Sequence, residues 1–255
     1  MNRVRQQLVI MAIAMWGLLP AMAQSTRTPS TPDLATIVQR VEQAQVDLHE
    51  VTRPYQVTRE YRFYQGEEKP QPDSNIIAEV TYEPPDDKQF TITDTQGGGR
   101  GQHVVKKVLE HEKEMAGRWE QAAVSGENYK FSFLGEETLN GRRCFILGLE
   151  PRRDSKELIK GRAWIDAGSY RIRQIQGEPS KSPSFWIKKL NVTLSFSDVE
   201  GMWLQTAIRA VADVRLFGRN ILAERDLSYR VSVQSAAKKS SRRSHPENTI
   251  AIFVR

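Results

Sequence analysis

The sequence contains few of the side chains on which catalysis most often depends. There is one cysteine and there are only four histidines among 255 residues. Cys144 cannot form a disulfide within the chain. Because it lies in an apolar, strand-like run, we expect it to be a small buried hydrophobe. His111-Glu112 begins like a zinc-protease motif, but Met115 stands where the second histidine must follow one helical turn later. The sequence therefore predicts no metal site, no cofactor and no catalytic residue.

Two further motifs are incomplete. The glycine-rich segment Gly97–Gly101 lacks the Gly-Lys-Ser/Thr ending of a phosphate-binding loop, so we predict a flexible connection there. Ser125-Gly126 has no glycine two places earlier, which the nucleophile elbow of hydrolases requires. These absences favour a protein that is not an enzyme.

The central part of the chain also lacks the basic charge that a nucleic acid would need. The formal net charge is +6. Arg3 and Arg5 lie close to the N-terminus, and four lysines and arginines at 238–243 lie in a Ser-rich C-terminal segment. Between Gln24 and Ala237 the positive and negative side chains balance. We therefore predict no nucleic-acid partner, and a basic, disordered tail over residues 235–255.

The N-terminus has the three parts of a secretory signal peptide. Arg3 and Arg5 give a positive start, an apolar run of about a dozen residues follows, and Ala21-Met22-Ala23 is a small-x-small cleavage site. Such a run is shorter than the roughly 20 residues of a membrane span, which favours cleavage between Ala23 and Gln24 over a membrane anchor. Gln24 stands where a lipid-anchored bacterial protein would have cysteine. We expect a soluble protein exported to the periplasm, with no stable membrane span after cleavage.

Two segments have the spacing of amphipathic helices. After a polar linker at 24–30, Thr31 is a candidate cap and Pro32 a candidate first residue of a helix whose apolar stripe reaches about Glu50. A second helix is predicted from about Gln102 to Ala116.

The rest of the chain has the alternation of β-strands. About ten strands are predicted, and the later ones are separated by short turns such as Asn140-Gly141, which makes them antiparallel neighbours. A sheet of this size must twist and curl. The predicted fold is mainly β (α+β): a strongly curved antiparallel sheet, or incomplete β-barrel, with two helices packed in its concave side. We expect one domain over residues 31–234.

Three short segments resemble a known family. They are Gly161-Arg-Ala-Trp-Ile-Asp166, the returning strand Tyr170–Gly177 and the strand opening Gly201-Met-Trp-Leu204. This succession resembles the LolA/LolB-like outer-membrane lipoprotein-sorting proteins, the periplasmic lipoprotein-carrier superfamily. The chain departs from the family at Gln205, where a proline is typical after the Trp-Leu pair. No ligand-contacting residue of the family has a match here.

The resemblance implies an incomplete antiparallel β-barrel with helices as a lid, and an apolar space between them that takes acyl chains. It favours a non-enzymatic periplasmic carrier for a lipid or an acylated protein in outer-membrane biogenesis. The same fold also serves in periplasmic sensors of envelope stress, so the alternative is a sensor or scaffold that binds an envelope protein. Lipid or lipoprotein acyl chains are the expected partners of the carrier.

The candidate ligand-binding residues lie on the apolar faces of the predicted strands. They are Val57, Arg59, Tyr61, Phe63, Phe131, Phe133, Leu194 and Phe196. The alternative for each aromatic residue is an ordinary core position covered by the helices. Arg59 interrupts an apolar face, and an unpaired charge buried there would cost several kcal/mol. It is therefore either part of a structural ion pair, or it lies at the rim of a lipid cavity, where it binds a ligand or holds a lid helix closed.

Overall fold

One antiparallel sheet of ten strands forms most of the computed structural model, which describes residues 32–231. The elements in chain order are α1 (Leu34–Val51), β1 (Tyr55–Gln65), β2 (Ser74–Glu83), β3 (Asp87–Gly97), α2 (Gly99–Met115), a 3₁₀ turn (Trp119–Gln121), β4 (Tyr129–Leu139), β5 (Arg142–Pro151), β6 (Ile159–Asp166), β7 (Ile172–Pro179), β8 (Ile187–Val199), β9 (Met202–Val214) and β10 (Gly218–Val231). The predicted signal peptide with its cleavage site, the linker and the basic tail lie outside the described residues.

The strand order places β1, the first strand of the described chain, beside β10, the last one. It runs β3-β2-β1-β10-β9-β8-β7-β6-β5-β4, with Tyr55 opposite Val231 and Gln65 opposite Asn220. The edge strands β3 and β4 form no hydrogen-bonded pair with each other within residues 32–231, so the barrel is incomplete. The segment with α2 connects these two edges. This is the fold class that the sequence predicts.

Helix α1 begins later than the sequence suggests. Its N-cap is Asp33, whose carboxylate accepts a hydrogen bond from the Thr36 backbone N–H at 2.9 Å. The prediction of Thr31 as cap and Pro32 as first helical residue was therefore wrong. The Asp33 side chain binds one of the free N–H groups at the start of the helix, and Pro32 lies just outside it.

Helix α2 begins inside the glycine-rich segment, which corrects the prediction of a flexible connection there. Gly99 and Gly101 are helical. A Cβ atom on Gly101 would lie 2.5 Å from the Cβ of Ser74 on β2, and 3.1 Å from that of Phe63 on β1. Glycine at 101 thus allows the helix backbone to lie directly against the sheet.

Both helices lie on one face of the sheet, which we call the helix-covered face, and each covers its own apolar cluster. Ile37 and Val41 of α1 pack with side chains of β4–β7. Val105 and Leu109 of α2 pack with side chains of β1 and β2. The opposite, outer face has a small cluster of its own, in which Cys144 is fully buried as predicted.

Candidate functional site

A cavity of about 290 Å³ lies on the helix-covered face, where the C-terminal ends of α1 and α2 approach the sheet. Tyrosines of β1 and β2 form its floor, and residues of both helices and of the 3₁₀ turn form its walls. Its lining residues are His49, Thr52, Tyr55, Tyr82, Lys88, Glu112, Met115, Ala116, Trp119 and Leu204. The cavity therefore lies between the helices rather than under either one.

Aromatic contacts fix the walls of this cavity. The rings of His49 and Trp119 stack with their centroids 4.9 Å apart, which ties the 3₁₀ turn to the end of α1. On the floor, the rings of Tyr55 and Tyr82 are 5.4 Å apart, and the Tyr82 hydroxyl donates to the Pro85 carbonyl at 2.7 Å. Burial raises the pKa of Tyr55 to about 12, so the floor stays uncharged at neutral pH.

A buried ion cluster adjoins the cavity beneath α2. The Arg59 guanidinium is 2.7 Å from Glu112 of α2 and 2.8 Å from Asp226 of β10. Its Nε atom is 3.6 Å from Glu224, also on β10. Lys88 of β3 approaches the same Glu112 oxygen at 3.3 Å. Arg59 is 3% exposed. The structural ion pair, one of the two alternatives for Arg59, is therefore present, and it connects the helix to the sheet.

The three acids of the cluster differ in their affinity for protons. Burial raises the pKa of Glu224 to about 8, against the opposing attraction of Arg59. Burial also raises the pKa of Asp226. For Glu112, burial acts in the same direction, but Arg59 and Lys88 hold its pKa below the ordinary value. Near neutral pH, a protonated Glu224 leaves two cations facing two carboxylates.

Several polar atoms of this cluster lack a hydrogen-bond partner within the described part of the chain. They are the Tyr61 hydroxyl, the Oε1 atom of Glu112 and both carboxyl oxygens of Glu224. Buried polar groups are nearly always hydrogen-bonded, to protein or to water. Water or a polar ligand group that reached these atoms would therefore gain hydrogen bonds.

The eight predicted ligand-binding residues all face the helices, and they divide between the two apolar clusters. Four lie under α2, where they are almost completely buried: Val57, Arg59, Tyr61 and Phe63. Phe131, Leu194 and Phe196 pack at the edge of the cluster under α1, and Phe133 is 40% exposed near the Phe145 ring. Within residues 32–231, none of the eight lines the cavity. Their contact with a ligand stays a prediction.

Sequence reasoning missed the residues that do line the cavity. Trp119 lies in a short 3₁₀ turn with no periodic pattern around it, and Lys88 and Glu112 are single charges in a chain rich in charge. Tyr55 and Tyr82 are lining residues whose inward direction follows from strand alternation. The sequence carries no signal that would bring the others together.

The outer face has a second cavity, of about 260 Å³, across β1, β10, β9 and β8. Its charged side chains pair with one another: Arg225 with Glu60 at 2.6 Å, and Arg209 with Glu68 at 2.9 Å. These pairs leave little charge for a ligand, so the cavity between the helices is the better candidate site.

The described residues contain neither a metal-binding cluster nor a helix that could cross a membrane. Among residues 32–231, no three His, Cys, Asp or Glu side chains lie close enough to hold a metal ion. None of the helices in this part of the chain has both the length and the apolar character needed to cross a membrane.

Comparison with known proteins gives structural similarity only. No protein-family description matches the sequence, and no curated protein does. A LolA superfamily protein from Nitrosomonas europaea superposes with a TM-score of 0.43 at 10% identity, covering 78% of this chain and 94% of that one. An outer-membrane lipoprotein-sorting protein domain from Vibrio parahaemolyticus superposes with a TM-score of 0.41 at 14% identity, covering 80% of this chain and 95% of that one. A chain of the Pseudomonas aeruginosa MucA/MucB complex superposes with a TM-score of 0.24 at 10% identity, covering 78% of this chain and 99% of that one. These three similarities are at 10–14% sequence identity.

Proposed function

We propose that this protein is a soluble periplasmic carrier that binds a lipid, or the acyl chains of a lipoprotein, and catalyses no reaction. The observation that carries the proposal is the cavity between the two helices and the sheet. Its volume of about 290 Å³ lies just below the range of about 300–1,000 Å³ that small-molecule sites have. Tyr55, Tyr82, Met115 and Leu204 give the cavity an apolar lining. An acyl chain gains about 0.8 kcal/mol for each CH₂ group removed from water.

The position of charge in the cavity suits an amphipathic ligand. Lys88 and Glu112 lie beside the apolar walls, and both side chains are about one-sixth exposed, at 17% and 16%. An acyl chain on the tyrosine floor would place its ester or headgroup close to these charges. A mostly apolar pocket with a few convergent polar groups is the usual form of a ligand site.

Helix α2 is suited to act as a lid. Its Glu112 carboxylate is bound to Arg59 of the sheet, and Val105 and Leu109 cover the apolar cluster below. Movement of α2 away from the sheet would join the cavity to the surface formed by Val57 and Tyr61. The predicted ligand contacts of these side chains belong to that open state, in which a longer acyl chain has room.

The test is to purify the protein gently from the periplasm, extract it with organic solvent and analyse the extract by mass spectrometry. We expect bound acyl chains. A matched pair of variants locates the site: Ala116→Phe fills the cavity, whereas Ala122→Phe adds the same ring at an exposed position just after the 3₁₀ turn. Ala116→Phe should weaken binding of a fluorescent fatty acid at least about tenfold, and Ala122→Phe should leave it unchanged. Equal affinity of both variants would place the site elsewhere.

A second candidate function, a sensor or scaffold that binds an envelope protein, is supported by the open edges of the sheet. Strands β3 and β4 each have one side with no strand partner in the described region. Phe133 and Leu134 on β4 are 40% and 54% exposed. An extended peptide could add as a further strand there. An extract free of acyl chains, together with no binding of the fatty-acid probe, would favour this function over the carrier.

A further inference from the structure

Two loops at one end of the sheet present four large apolar side chains to solvent. Phe185 and Trp186 precede β8 and are 76% and 53% exposed. Leu216 and Phe217 lie in the β9–β10 turn and are 88% and 54% exposed. The loops are joined, because the Arg215 backbone N–H donates to the Trp186 carbonyl at 2.7 Å. We call these four side chains the aromatic tip.

Positive charge surrounds the aromatic tip. The Arg100 guanidinium lies 4.4 Å from the centroid of the Phe217 ring, and that of Arg215 lies 4.7 Å from the centroid of the Phe185 ring. Lys188 follows two residues after Trp186 and is exposed. Among the described residues, none of these three cations has a carboxylate within ion-pair distance. The tip therefore combines exposed rings with positive charges that the fold leaves unneutralised.

The backbone conformation at Leu216 is unusual for a large apolar residue. Its φ angle is +69°, in the left-handed region, where glycine or asparagine is favoured and a bulky residue is uncommon. Leu216 is also more exposed than any other large apolar side chain in the described chain. A leucine here strains the backbone and gains no buried surface. Neither the backbone conformation nor burial therefore favours leucine at this position.

We propose that the aromatic tip docks onto an anionic lipid surface. Tryptophan prefers the headgroup level of a membrane, and the wholly apolar Phe185, Leu216 and Phe217 would be buried at the boundary between headgroups and acyl chains. Arg100, Arg215 and Lys188 would face lipid phosphates, and each basic residue near an anionic surface contributes about a fivefold gain in binding. The chain's own C-terminal segment would bind the tip poorly, because its basic residues at 238–243 carry the same positive charge as the cations around the tip.

Docking through the tip would leave the candidate ligand cavity free. Leu204, near the start of β9, lines that cavity, whereas Leu216 follows the end of β9. The two sites thus lie at opposite ends of a 13-residue strand. This inference concerns membrane attachment, so its test does not depend on the proposed carrier function.

The experiment measures co-sedimentation of the full mature chain with vesicles. We expect binding to phosphatidylcholine vesicles that contain about one third phosphatidylglycerol, and at least about tenfold weaker binding to phosphatidylcholine alone. Replacing all four tip side chains by serine should lower the partition coefficient at least about tenfold. The matched control is Val51→Ser with Leu227→Ser, which removes two exposed apolar side chains elsewhere and should leave binding unchanged. Circular dichroism of each variant shows whether it is folded.

Trp186 supplies a positional readout that does not depend on affinity. Brominated lipids should quench its fluorescence in the bound protein, and the quenching should disappear in Trp186→Phe while that variant still sediments with the vesicles. Failure of the native chain to bind anionic vesicles would overturn the proposal. So would equal binding by the tip and control variants, or quenching that survives Trp186→Phe.

Discussion

Glu224 should make the stability of this protein fall as the pH rises. Burial raises the pKa of this carboxyl from its ordinary 4.5 to about 8 in the folded chain. The folded state therefore holds the proton more tightly than the unfolded state does. The stabilisation linked to this proton is fully present below about pH 4.5 and is lost as the pH rises through about 8. Replacement of Glu224 by glutamine removes the ionisation and preserves the shape of the side chain.

The size of the effect follows from the change in pKa. One pKa unit corresponds to about 1.4 kcal/mol, so a change from 4.5 to about 8 corresponds to about 5 kcal/mol. We expect the free energy of unfolding of Glu224→Gln, relative to the native chain, to increase by about 3–5 kcal/mol between pH 5 and pH 9. The steepest part should lie between pH 5 and pH 8. Urea unfolding of both proteins at each pH gives this difference, and contributions of groups outside the ion cluster cancel in it.

The control is Glu114→Gln, which removes an exposed carboxylate from the same helix that carries Glu112. This variant should retain the full pH dependence of the native chain. If the stability difference between Glu224→Gln and the native chain is constant from pH 5 to pH 9, Glu224 is ionised throughout, and the reasoning about burial is refuted.

Three further predictions follow from the fold and the sequence. Gly101→Ala should destabilise the protein by about 1–3 kcal/mol, because the new methyl group meets Ser74. Gly99→Ala should instead stabilise α2 by up to about 1 kcal/mol, because nothing lies near its Cβ. Urea unfolding compares the two variants, and equal effects on stability would contradict the close approach of Gly101 to the sheet. Arg59→Leu should cost about 3–5 kcal/mol, because it leaves buried carboxylates unpaired; a thermal midpoint like that of the native chain would be the contrary result. Intact mass of the periplasmic protein should correspond to a chain that starts at Gln24, and retention of residues 1–23 would contradict cleavage there.

The local elements follow from the sequence because their causes are local. The alternation of Tyr55–Phe63 predicts which side chains of β1 face the helices, and all of them are buried. Asn140-Gly141 predicts a hairpin, and both residues have the positive φ angles, 50° and 75°, that its tight turn requires. The sequence does not predict where α2 begins. Position 101 needs glycine because a Cβ atom there would clash with Ser74, and only folding brings Ser74 close.

The candidate site depends on contacts that the sequence does not show. The position of Arg59 on an apolar face predicts either an acid partner or a cavity, and the structure provides three acids, from α2 and β10. Their identities could not be predicted, because Glu112 and Asp226 are far from Arg59 along the chain and no pattern links them. The cavity depends in the same way on the strand order and on where the 3₁₀ turn places Trp119.

The pairing of β1 with β10 has a consequence for how the chain folds. Tyr55 pairs with Val231 in this contact, so β1–β3 cannot join the rest of the sheet until β10 is available. Strands β1–β3 and β4–β9 can each form hairpins from neighbouring segments, but β10 alone unites them. Long-range pairing of this kind slows folding, because a long loop must close before the contacts form. A chain that stops before Gly218 would hold two separate fragments of sheet, with the Arg59 side chain left without Glu224 and Asp226.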